Sequence, residues 1–339
     1  MPLTDWARAH GAPLFAAGIR SVAEDFQVVE ELGYTFTGDG EHDFLWIQKT
    51  NANTEWVARQ LARFAGVQSR DVGYAGLKDR RAVTRQWFSV PRWHTPDWGE
   101  VQVEGVEILD VQRHNRKLRR GAHKSNRFTI VLRGEDIPNA VGELEHRLRL
   151  IRERGVPNYF GEQRFGRDGQ NLALADAFAA GKRLPRHKRS LAISTIRSFV
   201  FNESLHARVL AGTWDELLPG DKANLDGTGS VFDVASVDEA LVRRCEAMDI
   251  HPAGELVGAG SDCRNEKWLT ALEKARVEPG NRSYRLRVRD LDCGAANEAV
   301  TLAFTLGRGS FATSVLRELV DVSDGSRTGD QSPATRSPV

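Results

Sequence analysis

Cysteine is scarce in this chain. There are three, Cys245, Cys263 and Cys293, widely spaced and with no C-x-x-C pair. An odd number at that spacing gives little support to a disulfide framework or to a zinc knuckle. Long apolar runs are missing too, since no window of the sequence reaches the roughly 18 consecutive apolar residues that a membrane helix requires. The opening MPLTDWARAHGAPLFAAGIR carries Asp5 early, and has neither a basic start followed by an apolar stretch nor a small-residue cleavage site, unlike a secretory signal. A cytoplasmic protein with reduced thiols is expected. An overall charge of one sign is also lacking: 47 Lys and Arg stand against 46 Asp and Glu, so net charge alone argues for no polyanionic partner. No G-x-x-x-x-G-K-[ST] loop, H-E-x-x-H helix or G-x-S-x-G elbow occurs. The nine histidines are scattered without ligand spacing and read as surface or structural residues.

What is present fits a globular protein. At about 150 residues per domain, 339 residues suggest two domains with enough chain to bury a core. Hydrophobic residues at 40%, together with 31 glycines, fall in the usual globular range and exclude global disorder.

The balanced net charge hides a local asymmetry. From Gln112 to Gly134 runs QRHNRKLRRGAHKSNRFTIVLRG, with eight arginines and lysines and no acid between Asp110 and Glu135. A second cluster, Lys78, Arg80, Arg81, Arg85 and Arg92, surrounds one acid, Asp79. Clustered cations interleaved with polar and aromatic side chains suit phosphate-backbone contact and base stacking, and two such runs around one carboxylate favour RNA or another phosphate-rich ligand over a merely solvated face.

Residues 26–30 alternate as a strand, and HDFLWIQKT (42–50) follows the Gly38-Asp39-Gly40 turn as a second. The two are expected as a hairpin or as adjacent antiparallel strands. Trp56, Val57, Leu61 and Phe64 recur near helical period over residues 54–64, with Asn53 or Thr54 available as the cap. Strands are expected at 82–90 and 127–132, and a helix at 138–154 ending on Gly155. Residues 155–285 differ: helices near 190–210 and 237–248 are separated by glycine-rich loops. Strand character returns at 284–293 and 299–306, which makes the middle an insertion into the first domain. The tail from Asp321 is polar and almost free of large apolar residues, and is expected to be disordered. Gly307-Arg308-Gly309-Ser310-Phe311-Ala312 matches a dinucleotide fingerprint locally, but no strand remains after it to complete the unit, so its glycines are read as shaping a turn.

Asp79 sits in GYAGLKDRRAVTRQWFSV (73–90), a glycine-punctuated turn leading into a strand. Surrounding cations favour its ionised form, which suits a nucleophile or base better than a general acid. An ordinary ion pair with Arg80, Arg81 or Arg85 is an equal reading from spacing alone.

These residues carry a resemblance. GYAGLKDRRAVTRQWFSV (73–90), EDFQVVE (24–30), KSNRFTIVLRG (124–134), VPNYFGEQRFGRDGQNL (156–172) and FTLGRGSFATSVLREL (304–319) are similar, in order along nearly the whole chain to about residue 320, to the tRNA pseudouridine synthase D (TruD) family. The resemblance implies an α+β fold: a split pseudouridine synthase catalytic domain with a central, mostly antiparallel sheet, and an inserted α/β TRUD domain. Mapped onto this sequence, that gives a catalytic domain over 1–152 and 286–320, the insertion over 153–285 and a disordered tail over 321–339. It implies that Asp79 is the catalytic aspartate and that Phe26, Asn126 and Phe311 surround the target nucleotide. Phe128, two residues beyond Asn126 on the same strand face, would be a further aromatic contact. Without the resemblance, core packing would be the first reading of the three phenylalanines.

The implied activity is isomerisation of uridine to pseudouridine in tRNA, at uridine 13 of the D-arm. It breaks the N1–C1′ bond, rotates the uracil and joins C5 to C1′, with no cofactor and no metal. Asp79 would attack C1′, add to C6 or remove the C2′ proton, and the sequence leaves these three open. The implied partner is tRNA, with no membrane and no obligate protein partner, the chain acting as a monomer. Two alternatives stay open: a non-catalytic RNA-binding protein or RNA chaperone on the same fold, and a glycosidase that releases uracil, which normally wants a second carboxylate as general acid.

Overall fold

The computed structural model describes residues 5–324 apart from 95 and 297. The chain divides into two compact units.

The unit that carries Asp79 comprises Leu14–Leu144 and Arg289–Gly309, with residues 320–324. Its first stretch contains β1 (Ala16–Ile19), β2 (Phe26–Leu32), β3 (His42–Thr50), α1 (Thr54–Phe64), β4 (Gly73–Tyr74), β5 (Val83–Pro91), β6 (Val106–His114), β7 (His123–Arg133) and the first half of α2 (Ile137–Arg154). The expected cap of α1 forms: Asn53 Oδ1 accepts from the Glu55 amide at 2.8 Å, satisfying a donor that the first turn leaves without a partner. The inner face of α1, Val57, Ala58, Leu61 and Ala62, is buried with Leu45 and Ile47 of β3 and Phe88 and Val90 of β5. Gly155, at φ +75°, ends α2 as its composition suggests, its amide returning to the Ile151 carbonyl at 2.8 Å.

The other unit holds residues 5–13, Glu145–Val288 and Ser310–Leu319. After α2 come β8 (Val156–Pro157), α3 (Gln170–Ala179), α4 (Arg186–Leu210), β9 (Lys222–Leu225), β10 (Val231–Asp233), α5 (Glu239–Glu246), β11 (Ile250–Leu256), α6 (Glu266–Lys274), β12 (Gly280–Ser283) and β13 (Arg285–Leu286). A four-stranded antiparallel sheet, β10-β9-β11-β12, and a short β13-β8 pair accompany the helices. The chain then returns to the first unit with β14 (Arg289–Ala296) and β15 (Ala299–Gly307), contributes α7 (Ala312–Leu316) to the second, and gives β16 (Asp321–Asp324) to the first.

The main sheet runs β14-β15-β7-β2-β5-β3-β6, with β1, β4 and β16 attached. All pairs on this path are antiparallel except β2 with β5; the fold is α+β with a mostly antiparallel central sheet.

Four expectations need correction. β2 and β3 are not neighbours: β5 lies between them, parallel to β2 and antiparallel to β3 over nine residue pairs. The strand expected at 284–293 splits into β13, which pairs with β8, and β14, which pairs with β15. Asp321–Asp324, at the head of the tail expected to be disordered, form a strand parallel to β1 because the backbone of Ala16–Ile19 offers it a free edge; the rest of that tail lies outside the described residues. The unit boundaries fall at Leu144 and Val288, and two segments grouped by sequence with the first domain, the N-terminus and Ser310–Leu319, pack with the middle of the chain. Trp6 stacks on Tyr159 with ring centroids 5.9 Å apart. The fully buried Glu318 accepts from the amides of Ala9 and His10 at 2.9 and 3.1 Å.

Candidate active site

Asp79 lies in the loop between β4 and β5, and its position is set through the backbone around it. Lys49 on β3, fully buried, donates from Nζ to the Asp79 carbonyl oxygen at 2.8 Å and to that of Ala52 at 2.8 Å. Thr54, the first residue of α1, accepts from the Lys78 amide at 3.0 Å and donates to Gln86 Oε1, and Gln86 donates to the Gly76 carbonyl at 3.2 Å. The Gly121 amide closes on the Ala75 carbonyl at 2.7 Å. Lys78 reaches back to Glu30 on β2 at 2.7 Å, in a pair whose side chains are 5% and 0% exposed. A loop with this many buried partners is ordered by the sheet beneath it rather than by its own sequence.

The Asp79 carboxylate, in contrast, is 49% exposed. Its ion-pair partner is Arg20, at 3.0 Å, rather than Arg80, Arg81 or Arg85 as sequence proximity suggests. Arg20 adopts φ +59°, a conformation uncommon outside glycine. Its guanidinium lies 4.1 Å from the centroid of the Phe26 ring, so one side chain joins the carboxylate to the aromatic surface.

Beneath Arg20 the aromatic residues form a row across β2, β7 and β15. Phe26 meets Phe128 edge to face at 6.3 Å, and Phe128 stacks on Phe304 at 5.4 Å. Phe26 and Phe128 are 3% and 8% exposed, so both belong largely to the core. The start of β2 is held by Asp25, which takes two bonds from Arg133 at 2.6 and 3.2 Å. Burial works to raise the Asp25 carboxyl, but the hydrogen bonds from Arg133 and the Val22 amide prevail and hold it below the usual range.

Register places Asn126 directly opposite Glu30, on the same sheet face as Phe128 and Phe26. Its Oδ1 is buried and has no hydrogen-bond partner among the described residues. An unpaired buried acceptor costs about 1–3 kcal/mol, so a bound donor at this position would recover that loss. His123, at the start of β7, is pushed toward its neutral form by burial first and by Lys78 second.

Phe311 belongs to the other unit. It precedes α7, is 37% exposed, and lies 6.4 Å from Phe160. The Phe160 ring also faces the guanidiniums of Arg282 at 4.2 Å and Arg164 at 5.6 Å. Burial, and then Arg164, push Arg282 down to about 10. The structure thus places Phe26, Asn126 and Phe128 on one face of the main sheet, links Asp79 to that face through Arg20, and puts Phe311 in the second unit.

Sequence reasoning missed Arg20, Lys49, Thr54, Glu30 and Gln86. Arg20 and Lys49 lie 59 and 30 positions before Asp79, and no spacing rule connects them. The one available signal was for Glu30, an acid at an alternating strand position that should face the core. Among the described residues, no group of three or more His, Cys, Asp or Glu is placed to hold a metal ion, and no helix is long and apolar enough to cross a membrane. The arrangement offers a water-accessible carboxylate, a guanidinium bound to it, an aromatic base and an unsatisfied amide oxygen. That set is suited to nucleophilic or base chemistry on a flat polar ring.

Comparison with known proteins gives the site a context. The family description "tRNA pseudouridine synthase D (TruD)" matches residues 9–173 and 170–319. A tRNA pseudouridine synthase D of Methylococcus capsulatus is 44% identical over 336 residues, covering 94% of each chain. One from Hydrogenovibrio crunogenus is 41% identical over 339 residues, covering 94% of this chain and 97% of the relative. A Methanosarcina mazei chain whose crystal structure carries the TruD name superposes with a TM-score of 0.72, over 95% of this chain and 96% of that one. At 19% identity, that likeness is one of fold.

Proposed function

The chain belongs to the tRNA pseudouridine synthase D family, and from that premise we propose that it converts uridine to pseudouridine in tRNA, at position 13 of the D-arm, with the Asp79 carboxylate as the catalytic group. The observation that carries this reading is the contrast within Asp79 itself: the main chain is tied to the sheet by the buried Lys49, while the carboxylate remains open to an incoming nucleotide and is oriented by Arg20. A group so held meets a substrate atom at a fixed place, which is the condition for an effective intramolecular reaction.

The isomerisation involves neither net oxidation nor hydrolysis. The N1–C1′ bond breaks, the detached uracil turns while still bound, C5 joins C1′, and the C5 proton is replaced by one on N1. Attack of Asp79 on C1′, addition to C6 and removal of the C2′ proton each require one ionised carboxylate. The target uridine must leave its stack to reach that carboxylate. In this reading the ribose or base edge donates to Asn126 Oδ1 and the edge of the Phe26 and Phe128 row supports the ring. Aromatic surfaces also keep water from C1′ while the glycosidic bond is open, which prevents loss of uracil. The reaction needs no cofactor, and the protein acts in the cytoplasm as a monomer.

The test is incubation of the purified protein with an unmodified tRNA transcript containing uridine 13, followed by nucleoside analysis and position mapping, with Asp79→Asn alongside. Pseudouridine at one D-arm position with wild type and none with the variant is the expected result. Binding without isomerisation across a panel of tRNAs would make the protein a non-catalytic RNA binder, and free uracil would make it a glycosidase.

A further inference from the structure

A second feature of the unit that carries Asp79 is a cleft of about 430 Å³ whose lining contains four cations and no carboxylate. One wall includes Arg70, Gly73 and Tyr74, and the other Lys117, Arg119 and Arg120. Elsewhere in the fold arginines meet acids: Arg133 with Asp25, Arg92 with Asp43, Arg208 with Asp221. Arg70 and Arg119 are exposed, and neither has a carboxylate partner among the described residues.

The cleft is built rather than incidental. Lys117 donates to the Arg70 carbonyl, which ties the two walls together. Arg120 lies 3.7 Å from the Tyr74 ring centroid and also bonds the Tyr74 hydroxyl, so it is fixed as a flat cationic face. At Gly73 the walls approach so closely that a Cβ would stand 2.4 Å from the Leu118 carbonyl oxygen.

We propose that this cleft seats the phosphodiester backbone of the tRNA strand that flanks the target uridine, and so sets which nucleotide reaches Asp79; the proposal rests on the tRNA isomerase reading. Two observations, with the general chemistry of arginine, point to a polynucleotide. The cations converge from two walls with no acid among them, a match for repeated anions rather than for one carboxylate. Arginine forks bind phosphate oxygens in pairs. The loop that supplies Lys117, Arg119 and Arg120 also supplies the Gly121 amide that holds Ala75 at 2.7 Å, four residues before Asp79. The cleft and the carboxylate are therefore ends of one hydrogen-bonded loop pair, and a backbone held at one is measured off from the other.

The experiment uses the full chain with Arg70→Ala and Arg119→Ala combined, and equilibrium binding of the unmodified tRNA at several salt concentrations. Removing two phosphate contacts should weaken binding about tenfold or more near physiological salt and lower the slope of log K against log salt by about one to two. Arg243→Ala, which removes an exposed arginine already paired with Glu239, should change neither. Arg119→Glu alone should weaken binding further than Arg119→Ala, a comparison that survives if the double variant unfolds. Wild-type affinity and slope in the double variant would overturn the proposal. So would stabilisation of wild type by inorganic phosphate that disappears in the variant while tRNA binding persists, since the cleft would then be a small-anion site. The two readings fail separately: pseudouridine formation by wild type with unaltered binding in the variant sinks only the cleft. Lost binding in the variant with no pseudouridine from wild type sinks the isomerase and leaves an RNA seat.

Discussion

Lys49 Nζ lies 2.8 Å from the main-chain carbonyl of Asp79, although the two residues are 30 positions apart and Lys49 is fully buried. The hydrogen bond places a cation under the backbone of the candidate catalytic residue without occupying its carboxylate, and that separation is what makes Lys49 testable.

Lys49→Met keeps an unbranched side chain one atom shorter and removes both bonds, to Ala52 and Asp79. Leaving the buried Ala52 carbonyl and the part-buried Asp79 carbonyl without this donor should cost about 1–3 kcal/mol, read by chemical denaturation. The looser loop should lower kcat about tenfold or more with little change in KM. A variant that unfolds earlier yet keeps wild-type kcat would make Lys49 purely structural.

The same lysine gives a pH dependence with a defined sign. Burial pushes Lys49 down to about 8, with Asp79 opposing the shift. In the unfolded chain a lysine titrates near 10.4. Between about pH 8 and 10.4 the unfolded state holds a proton that the folded state has released, so this group makes stability rise with pH across that window, and its cost is fully present below it. The difference in unfolding free energy between wild type and Lys49→Met should therefore grow by on the order of 1–3 kcal/mol over that range. Parallel curves for the two proteins would contradict the assignment.

Arg20 pairs with a carboxylate that is half exposed, but its own side chain is 7% exposed, so its removal should lower stability through lost packing by about 0.5–3 kcal/mol, alongside the effect on turnover. Arg20→Ala loses both the bond to Asp79 and the stack on Phe26, and kcat should fall about 10- to 100-fold, an estimate from the strength of charge-assisted bonds. Arg20→Lys restores the charge without the planar stack and should recover part of the rate. Equal rates for wild type and Arg20→Ala in single-turnover assays would remove Arg20 from the site.

Glu30 and Lys78 form a buried pair one residue from Asp79. Glu30→Ala leaves the ammonium without its partner and should cost about 3–5 kcal/mol, whereas replacing both by apolar residues, Glu30→Leu with Lys78→Met, should recover most of that loss. Strictly additive losses in denaturant unfolding would show that the two are not coupled.

Gly73→Ala places a methyl 2.4 Å from the Leu118 carbonyl oxygen and 2.5 Å from Ser89 Oγ, the atom that accepts from the Leu118 amide. Overpacking at such a contact costs about 1–3 kcal/mol. The displaced loop carries Lys117, Arg119 and Arg120, so tRNA affinity should fall together with the melting temperature. Unchanged stability would mean that β4 and this loop are free to separate.

The sequence by itself determined the parts of the molecule that local rules govern. The Asn53 cap and the helical spacing through Leu61 fixed α1, Gly155 ended α2, and the alternation in HDFLWIQKT marked β3 to the residue. These signals are legible because caps, periodicity and turn chemistry act within a few residues of one another. The tertiary structure alone decided that β5 enters between β2 and β3, that Arg20 rather than Arg80 or Arg81 meets Asp79, that Lys49 supports it from below, and that Phe311 packs with the middle of the chain. Each of these is a contact between residues far apart in sequence, chosen by shape, burial and charge among many alternatives that look the same locally. A lysine at the end of a strand has the same local signature whether it faces water or the carbonyl of the loop that carries Asp79, and only burial at that particular place turns it into a support for that loop.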